Sequence, residues 1–274
     1  MKKTPKKISL RIIYWIVVAV ILLVTLFPIL YMVTSSFKKI VDLMNPDKLL
    51  FFTPILQNYI DVFTKYSFIK PIMNSLIVAV AATGIACLMG LPAAYAIARY
   101  KMNKMSLIIL AVRIIPAITF LIPWYMIFSK LGLNGTFTAL ILAHLLISLP
   151  LIIWIVTPYF ESVPKELEEA AFIDGSSVFR SFIQIMVPLS GPGIFTAAIL
   201  AFIYSWNNFI FALVLSGKNT KTLPMAIFNF ISYTEVNWSG LMAAAVVITG
   251  PVILISIALQ KYVVSGLTAG AVKG

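Results

Sequence analysis

The chain has 274 residues, of which 61% are hydrophobic and 11% are charged. Soluble domains carry about 25% charged residues, so this composition excludes a soluble globular protein and indicates a membrane protein. The formal net charge of +12 does not indicate a nucleic-acid binder, because the basic residues stand at the ends of apolar runs and form no stripe with interleaved aromatic residues. The one cysteine, Cys87, lies within an apolar run, so the chain can form no intrachain disulfide.

The first apolar run, 12–37, follows a short basic segment. That segment holds Lys2, Lys3, Lys6, Lys7 and Arg11. Because basic residues concentrate on the cytoplasmic side of membrane proteins, we expect the N-terminus in the cytoplasm. A cleaved signal peptide is the alternative, but the run exceeds the usual h-region of about 7–15 residues and no small-x-small cleavage site follows it. We therefore expect an uncleaved first span.

Six apolar runs are long enough to cross a membrane, which takes about 20 residues in a helix. They cover approximately 12–37, 71–98, 106–128, 138–160, 191–215 and 240–260. None has the period of two that the strands of a membrane barrel show. The prolines within these runs predict kinked helices, since membrane helices tolerate proline; they are Pro92, Pro116, Pro123, Pro150 and Pro251. The sequence therefore predicts an all-α integral membrane protein, one domain over 1–274 with six transmembrane helices and both termini in the cytoplasm.

Two long connections fall on the external side in this topology. The first, 38–70, contains Pro46 and Pro54 and is expected to form a small cap of short helices. The second, 216–239, contains several aromatic residues, including Tyr233 and Trp238. Those aromatic residues fit either an interfacial belt or a contact for an external partner.

The most polar part of the chain lies between the fourth and fifth runs. Four of the nine acidic residues fall within nine positions there: Glu166, Glu168, Glu169 and Asp174. Such a cluster must lie in water, where it is free to contact another protein. Strong helix formers follow Pro164, and the acidic residues suit the positive end of a helix dipole. Gly175 then allows a turn that other residues disfavour, and a second amphipathic run, 178–183, leads to the fifth span.

This cluster resembles the EAA signature of the membrane subunits of ABC importers. The pattern is Glu169-Ala170-Ala171, then Gly175 after three residues, then Ile185-Met186-Val187-Pro188. Nearly the whole chain resembles the shorter, six-span permease of the carbohydrate-uptake, maltose-type group of that family. The further matching segments are 122–125, 131–136, 205–209, 222–224 and 264–274. Two positions depart from the family pattern: Asn208 stands where an acid is frequent, and Val187 stands where leucine is usual.

The resemblance implies a role for each matching segment. It implies that the loop 166–188 couples the chain to a separate ATPase. The residues expected at that contact are Glu168, Glu169, Ala170, Ala171, Asp174, Gly175 and Pro188. A C-terminal tail is also expected to reach the ATPase, through Gly266, Thr268 and Gly270. The external loop is expected to contact a solute-binding protein through Thr222, Leu223 and Pro224.

The resemblance also implies the partners and the task. The chain would pair with a second homologous permease, two copies of an ATPase subunit and an extracytoplasmic solute-binding protein in a prokaryotic cell membrane. It would move a sugar, expected to be an oligosaccharide, inward by alternating access. ATP and Mg would be bound by the ATPase, and no cofactor is expected in this chain. The sequence itself has no G-x-x-x-x-G-K-[ST] loop, because Ser216-Gly217-Lys218 lacks the upstream glycine. We therefore expect a transport subunit and not an enzyme.

Other classes of function fit the sequence less well. Importers of glycerol-phosphate or of polyols share this framework and stay open as alternatives. An ion-coupled secondary transporter would usually carry a carboxylate within a span, whereas all nine acidic residues fall outside the predicted spans. A membrane enzyme would need convergent acid and base groups, but His144 and Cys87 are the lone residues of their types. We expect His144 to be a packed or hydrogen-bonded interior residue.

The candidates for the transport path lie in the fifth run. Tyr204, Ser205, Asn207 and Asn208 combine hydrogen-bonding groups with an aromatic ring, as sugar recognition requires. Polar side chains also hold membrane helices together, by about 0.6 kcal/mol each on average, so this second interpretation stays open. Arg113 stands about seven residues into the third run, roughly 10 Å deep at 1.5 Å per residue. We expect its side chain to reach toward the cytoplasmic interface rather than to contact substrate.

Overall fold

A computed structural model describes residues 5–232 and 236–269, with side chains from residue 11 to 258 outside the same gap. Fourteen α-helices make up most of this part of the chain. They are α1 Pro5–Ser36, α2 Ile40–Leu43, α3 Gln57–Thr64, α4 Ile69–Arg99, α5 Asn103–Ile114, α6 Leu121–Lys130, α7 Phe137–Ser162, α8 Lys165–Ile173, α9 Val178–Ser181, α10 Val187–Leu189, α11 Gly191–Trp206, α12 Ile210–Leu215, α13 Leu223–Ala226 and α14 Trp238–Ala269. Within the described residues, extended pairing is limited to a single antiparallel bridge between Ile231 and Val236.

Four of these helices are long and apolar enough to cross a membrane, and two bent pairs bring the number to six if each pair is one span. The four are α1, α4, α7 and the part of α14 over Trp238–Ala258. The bent pairs are Asn103–Ile114 with Ala117–Lys130, and Val178–Leu189 with Gly191–Trp206. The all-α membrane architecture expected from the sequence is therefore confirmed.

The third predicted span, 106–128, is not one helix. The chain bends by 87° between Ile114 and Ala117, and Ile115 has extended backbone angles of φ −68° and ψ 123°. A residue that precedes proline is driven out of the helical region by the proline ring, and Pro116 has no N–H to continue the helix. Pro123 lies in the first turn of α6, where a missing N–H costs nothing. The proline at 116 therefore breaks this segment, and the one at 123 does not.

The fifth predicted span, 191–215, also ends earlier than expected. Helix α11 stops at Trp206, and α12 begins only at Ile210. Asn207 and Asn208 stand at the break, and asparagine competes with helical hydrogen bonding through its own side chain. The Asn208 side-chain oxygen accepts from the Phe211 N–H at 3.1 Å and so caps the new helix. The remaining prolines in long helices, such as Pro92 and Pro150, lie inside unbroken segments.

The described chain divides into two compact units. The first runs to Ser67 and includes Ile227–Gly250; the second covers Phe68–Ala226 and the chain from Pro251 onward. In the first unit, the segment 38–67 forms the expected short helices, which are α2, a 3₁₀ turn at Pro46–Lys48, and α3. The buried Asn58 amide donates to the Ser36 and Lys38 carbonyls at 2.8 and 2.9 Å, and this holds α3 to the end of α1.

The core of the second unit lies between α4, α7 and α11. Helix α4 presents small buried residues at helical spacing, among them Ala82, Ala86, Gly90 and Ala94. Small side chains let membrane helices approach closely, and a Cβ at Gly90 would stand only 3.0 Å from Ile152 of α7. Because α4 and α7 pack closely, they form a single support for the loops at their ends.

Candidate functional site

The acidic cluster of the sequence forms helix α8, which follows directly after α7. Pro164 stands just before its first helical residue, and Glu166 and Glu168 occupy its first turn. Helix α8 ends where Gly175 adopts φ +83°, a conformation that costs residues with a Cβ about 1–2 kcal/mol. The Gly175 N–H donates to the Phe172 carbonyl at 3.0 Å, and the Ser176 N–H donates to the Ala171 carbonyl at 2.9 Å. This is a Schellman motif, and it confirms the turn predicted at Gly175.

The predicted coupling residues divide by exposure. Glu169, Ala170, Asp174, Gly175 and Pro188 are exposed. Glu168 is 4% exposed and Ala171 is 9% exposed, so both face the interior of the chain. The expectation that the whole acidic cluster lies in water is therefore wrong for Glu168.

Glu168 is held by two side chains from the end of α4. The Tyr95 hydroxyl donates to Glu168 Oε1 at 2.6 Å, and Arg99 Nε forms an ion pair with Glu168 Oε2. Both Arg99 terminal nitrogens also donate to the Val163 carbonyl at 3.1 Å, just before α8 begins. A buried carboxylate is tolerated only when it is paired and hydrogen-bonded, and these two groups satisfy it. Helix α8 is therefore fixed to α4 by a buried, charged contact.

Aromatic packing surrounds this contact. Tyr95 lies edge-on to Phe160, with ring centroids 6.0 Å apart, and against Phe182 at 5.1 Å. Phe182 and Met186 belong to a π-helical turn between α9 and α10, and both are buried. An aromatic and aliphatic shell excludes water, and a low-dielectric surrounding strengthens the ion pair inside it.

The outer side of this loop exposes apolar side chains as well as acidic ones. Ile173 is 87% exposed, Phe179 is 74% exposed, and Phe172 is 41% exposed, all around the turn at Gly175. Exposed apolar side chains that form a patch with a charged border mark protein contacts. Glu169 and Asp174 supply that border here. The sequence predicted a contact surface at this loop, but it pointed to the acids and small residues and missed Ile173 and Phe179.

Sequence reasoning also missed Tyr95 and Arg99. In the sequence, Arg99 is one of several basic residues at the predicted cytoplasmic end of a span, and Tyr95 lies within an apolar run, so neither indicated a specific contact. The available sign was an arginine one helical turn after a tyrosine at the end of a span, which places both side chains on one helix face. Nothing in the sequence indicated that Glu168, and not Glu169, would face them.

The loop that the sequence predicts to be external is fixed, in its part within the second unit, to the other end of α4. The Asn74 amide donates to the Asn219 and Lys221 carbonyls at 2.9 and 2.8 Å. The Leu223 N–H donates to the Ser75 hydroxyl at 2.7 Å. Thr222 and Leu223 are buried, so neither of these two predicted binding-protein contacts offers a surface, and the Leu223 backbone helps to hold the loop in place. Pro224 is half-buried, whereas Lys218 and Lys221 are exposed.

The predicted path residues do not form one surface. Ser205 is buried, and its hydroxyl lies 2.6 Å from His144 Nδ1 on α7, which confirms His144 as a hydrogen-bonded interior residue. Asn208 donates to the Tyr204 hydroxyl at 3.2 Å, and Asn207 is exposed at the end of α11. Ser205 therefore joins two helices, whereas Asn207 is open to a ligand or a neighbour.

Arg113 lies beside a cavity at the break between α5 and α6. Its guanidinium stacks over the Trp154 ring, 4.5 Å from the centroid, an arrangement that offsets part of the cost of a cation in a membrane. The cavity has a volume of about 330 Å³ and is lined by Arg113, Pro116, Phe120, Leu151 and Tyr204, among others. The structure therefore shows a cation–π contact of Arg113 with α7, and the expected reach toward the cytoplasmic interface stays a prediction.

The predicted tail, 264–274, lies wholly outside the described side chains, which end at residue 258. Helix α14 continues to Ala269, so the backbone at Gly266 and Thr268 is helical. Gly270 lies outside the described residues.

Comparison with known proteins places this arrangement in a family. Residues 85–269 match the family described as binding-protein-dependent transport system inner membrane component. The trehalose transport system permease protein SugB of Mycobacterium tuberculosis is 36% identical over 271 residues, which cover 96% of this chain and 98% of that protein. The trehalose/maltose transport system permease protein MalG of Thermococcus litoralis is 35% identical over 92% of this chain and 93% of its own length.

A solved structure shares the fold. One chain of a bacterial ABC transporter involved in the import of the acidic polysaccharide alginate superposes with a TM-score of 0.82 at 22% identity, over 96% of this chain and 99% of that one. The sequence similarity and the fold similarity both extend over nearly the full length of this chain. The chain belongs to the family of inner membrane components of binding-protein-dependent transport systems.

Proposed function

We propose that this chain is the membrane-spanning subunit of an ATP-driven importer and that its cargo is an oligosaccharide of the trehalose or maltose class. The observation that carries the proposal is full-length similarity to relatives named for those sugars. The similarity to SugB covers 96% of this chain and 98% of that protein, and the similarity to MalG covers 92% and 93%. Import of glycerol-phosphate is not favoured by these relatives.

The proposed ATPase contact is the outer surface of the 166–188 loop. Glu169, Ala170 and Asp174 are exposed there beside Ile173 and Phe179. A helix with an apolar exposed face and an acidic border fits a groove of matching shape on a basic partner. Pro188 is exposed near the end of the same loop. The helical tail at Gly266 and Thr268 is proposed as a second contact with the same ATPase, with Gly270 beyond it.

The remaining partners follow from the same proposal. Two ATPase copies bind and hydrolyse ATP with Mg, a second homologous permease completes the membrane path, and a solute-binding protein delivers the sugar. The exposed Lys218 and Lys221, next to Thr222, Leu223 and Pro224, are the proposed contact with that protein. Asn207 is the path candidate whose side chain is exposed. Both termini are proposed to lie in the cytoplasm.

The test is reconstitution with the partner subunits in lipid vesicles. We expect uptake of labelled trehalose or maltose that requires ATP and the binding protein. Glu169→Lys reverses a charge on the exposed face of α8 and should lower both uptake and binding-protein-stimulated ATP hydrolysis. Asp47→Lys makes the same charge change at an exposed site outside α8 and serves as the control. Uptake of neither sugar by the complete assembly contradicts the substrate class, and equal activity of both variants contradicts the contact on α8.

A further inference from the structure

Helix α4 carries polar contacts at both of its ends. At the cytoplasmic end, Tyr95 and Arg99 hold Glu168 of α8. At the external end, Asn74 and Ser75 hold the loop that leads to α13. All these residues belong to the second unit of the chain. A single helix therefore touches the segments proposed to contact the ATPase and the solute-binding protein.

The contact of α4 with the external loop is formed by buried side chains, as is the contact of α4 with Glu168. Asn74 is 5% exposed, Ser75 is 3% exposed, and the Asn74 amide bridges two carbonyls of the loop with both of its hydrogens. Lys70, one turn earlier, adds a bond from its amine to the Asn219 side-chain oxygen at 2.8 Å. Loss of a buried donor leaves the carbonyls of the loop unpaired, so the loop cannot shift relative to α4 without a cost.

Between these contacts α4 is continuous and stiffly supported. It runs without a break from Ile69 to Arg99, with Pro92 inside it. The residues between Asn74 and Arg99 span roughly 38 Å at 1.5 Å per residue, more than the hydrocarbon core of about 30 Å. The small residues that face α7 pack closely along this length. Close-packed interiors move as bodies and do not deform continuously.

We propose that α4 is a strut that links the two ends of this chain, so that a movement of α8 and a movement of the external loop are one event. The proposal rests on the proposed function, because the ATPase acts on α8 and the binding protein acts on the loop. The residues that anchor α4 act by positioning its neighbours and touch neither the ATPase nor the solute-binding protein; they are Tyr95, Arg99, Asn74 and Ser75. The strut makes the response to the binding protein depend on side chains at both ends of α4.

The experiment is a double-mutant cycle in the complete reconstituted transporter. Glu168→Gln keeps the shape of the side chain and removes the ion pair with Arg99. Asn74→Leu keeps the approximate volume and removes both external hydrogen bonds. Glu161→Gln removes a carboxylate at an exposed site in the last turn of α7 and is the matched control. Basal ATP hydrolysis, assembly and fold-stimulation by sugar-loaded binding protein are measured for each.

For each single variant that assembles, we expect the ratio of stimulated to basal hydrolysis to fall about fivefold or more, the lower end of typical coupling between sites. The double variant should be no worse than the more severe single one, because both interrupt the same route. Glu161→Gln should match the unchanged protein. The proposal is contradicted if the two fold-reductions in stimulation multiply in the double variant. It is also contradicted if either single variant is stimulated as strongly as the unchanged protein.

Two further variants keep the proposal testable if a first one does not assemble. Tyr95→Phe removes one hydroxyl and leaves the ion pair, and Ser75→Ala removes one hydroxyl at the external end. The same criteria apply to this pair. A failure of the proposed function is distinguishable, because the unchanged transporter would then show no stimulation by the binding protein at all.

Discussion

Adjacent glutamates of α8 have opposite surroundings. Glu168 is buried against Tyr95 and Arg99, and Glu169 points outward. Neighbouring helix residues are about 100° apart around the axis, so a helix that lies on a surface buries one and exposes the other. Burial of a charge is costly, and removal of one partner from a buried pair usually costs about 3–5 kcal/mol. The two acids of the same motif are therefore not interchangeable.

Gly175 provides a test of the turn that ends α8. With φ at +83°, Gly175→Val should cost about 1–2 kcal/mol from backbone strain, although a Cβ there would meet no atom within 4 Å. We expect lower binding-protein-stimulated ATP hydrolysis from a membrane domain that stays folded. Gly84→Val is the control, since Gly84 lies in regular helix with open space around it. Equal hydrolysis by both variants would show that the turn has no part in coupling.

Gly193 tests the packing of α11 on α7. A Cβ at this position would lie 2.3 Å from the Tyr159 ring, so Gly193→Ala forces a shift. Overpacking of this kind costs about 1–3 kcal/mol, and we expect a lower Tm for the purified chain in detergent. Gly191→Ala lies two residues away with nothing within 4 Å and should leave Tm unchanged. The same Tm for both variants would contradict the close approach of these helices.

At the scale of elements, the long helices were predictable and their breaks were not. Apolar length alone placed α4, α7 and the membrane-crossing part of α1, Arg11–Ser36, within two residues at each end, because crossing a membrane imposes that length. The break at Pro116 was not predicted, because Pro92 and Pro150 occur in similar runs without breaking them. Whether a proline bends or breaks a membrane helix depends on neighbours that satisfy the freed carbonyls. Those neighbours come from distant parts of the chain.

The external cap of the first unit is held at one element boundary. Asn58 donates to two carbonyls at the end of α1, so Asn58→Ala should leave both unpaired, at about 1–3 kcal/mol for a buried group. We expect faster cleavage of the segment 38–57 by added protease in sealed vesicles with that side outward. Gln57→Ala alters the exposed neighbouring residue, and this variant should be cleaved at the same rate as the unchanged chain. Unchanged cleavage in Asn58→Ala would exclude this anchor.

At the scale of the whole molecule, the family was predictable and the division of roles within its motif was not. The resemblance to the EAA signature depended on four residues, Glu169, Ala170, Ala171 and Gly175. The match to the family covers residues 85–269. The burial of Glu168 and of Leu223 depends on tertiary contacts with α4. Such contacts join residues far apart in the chain, and a local pattern does not contain them.

Topology gives the prediction that concerns the whole molecule. If each bent pair counts as one span, six spans place both ends of the chain on one side, and the basic N-terminal segment favours the cytoplasm. A fluorescent protein fused at the C-terminus should fold and fluoresce, and alkaline phosphatase at the same place should be inactive. Phosphatase inserted after Lys218 in the external loop serves as the positive control. The reverse pattern would place α8 outside the cell and exclude any contact with an ATPase.

Cys87 makes this chain convenient for spectroscopic labelling. It is the single cysteine of the sequence, it lies half-buried in the middle of α4, and its replacement by alanine suits a helix that already packs through alanines. The cysteine-free chain can then take one thiol at Glu161 and a second at Lys130, exposed positions outside both proposed partner contacts. A pair of dyes at these sites would record, molecule by molecule, whether the inner and outer surfaces of the transporter change in the same instant or in turn.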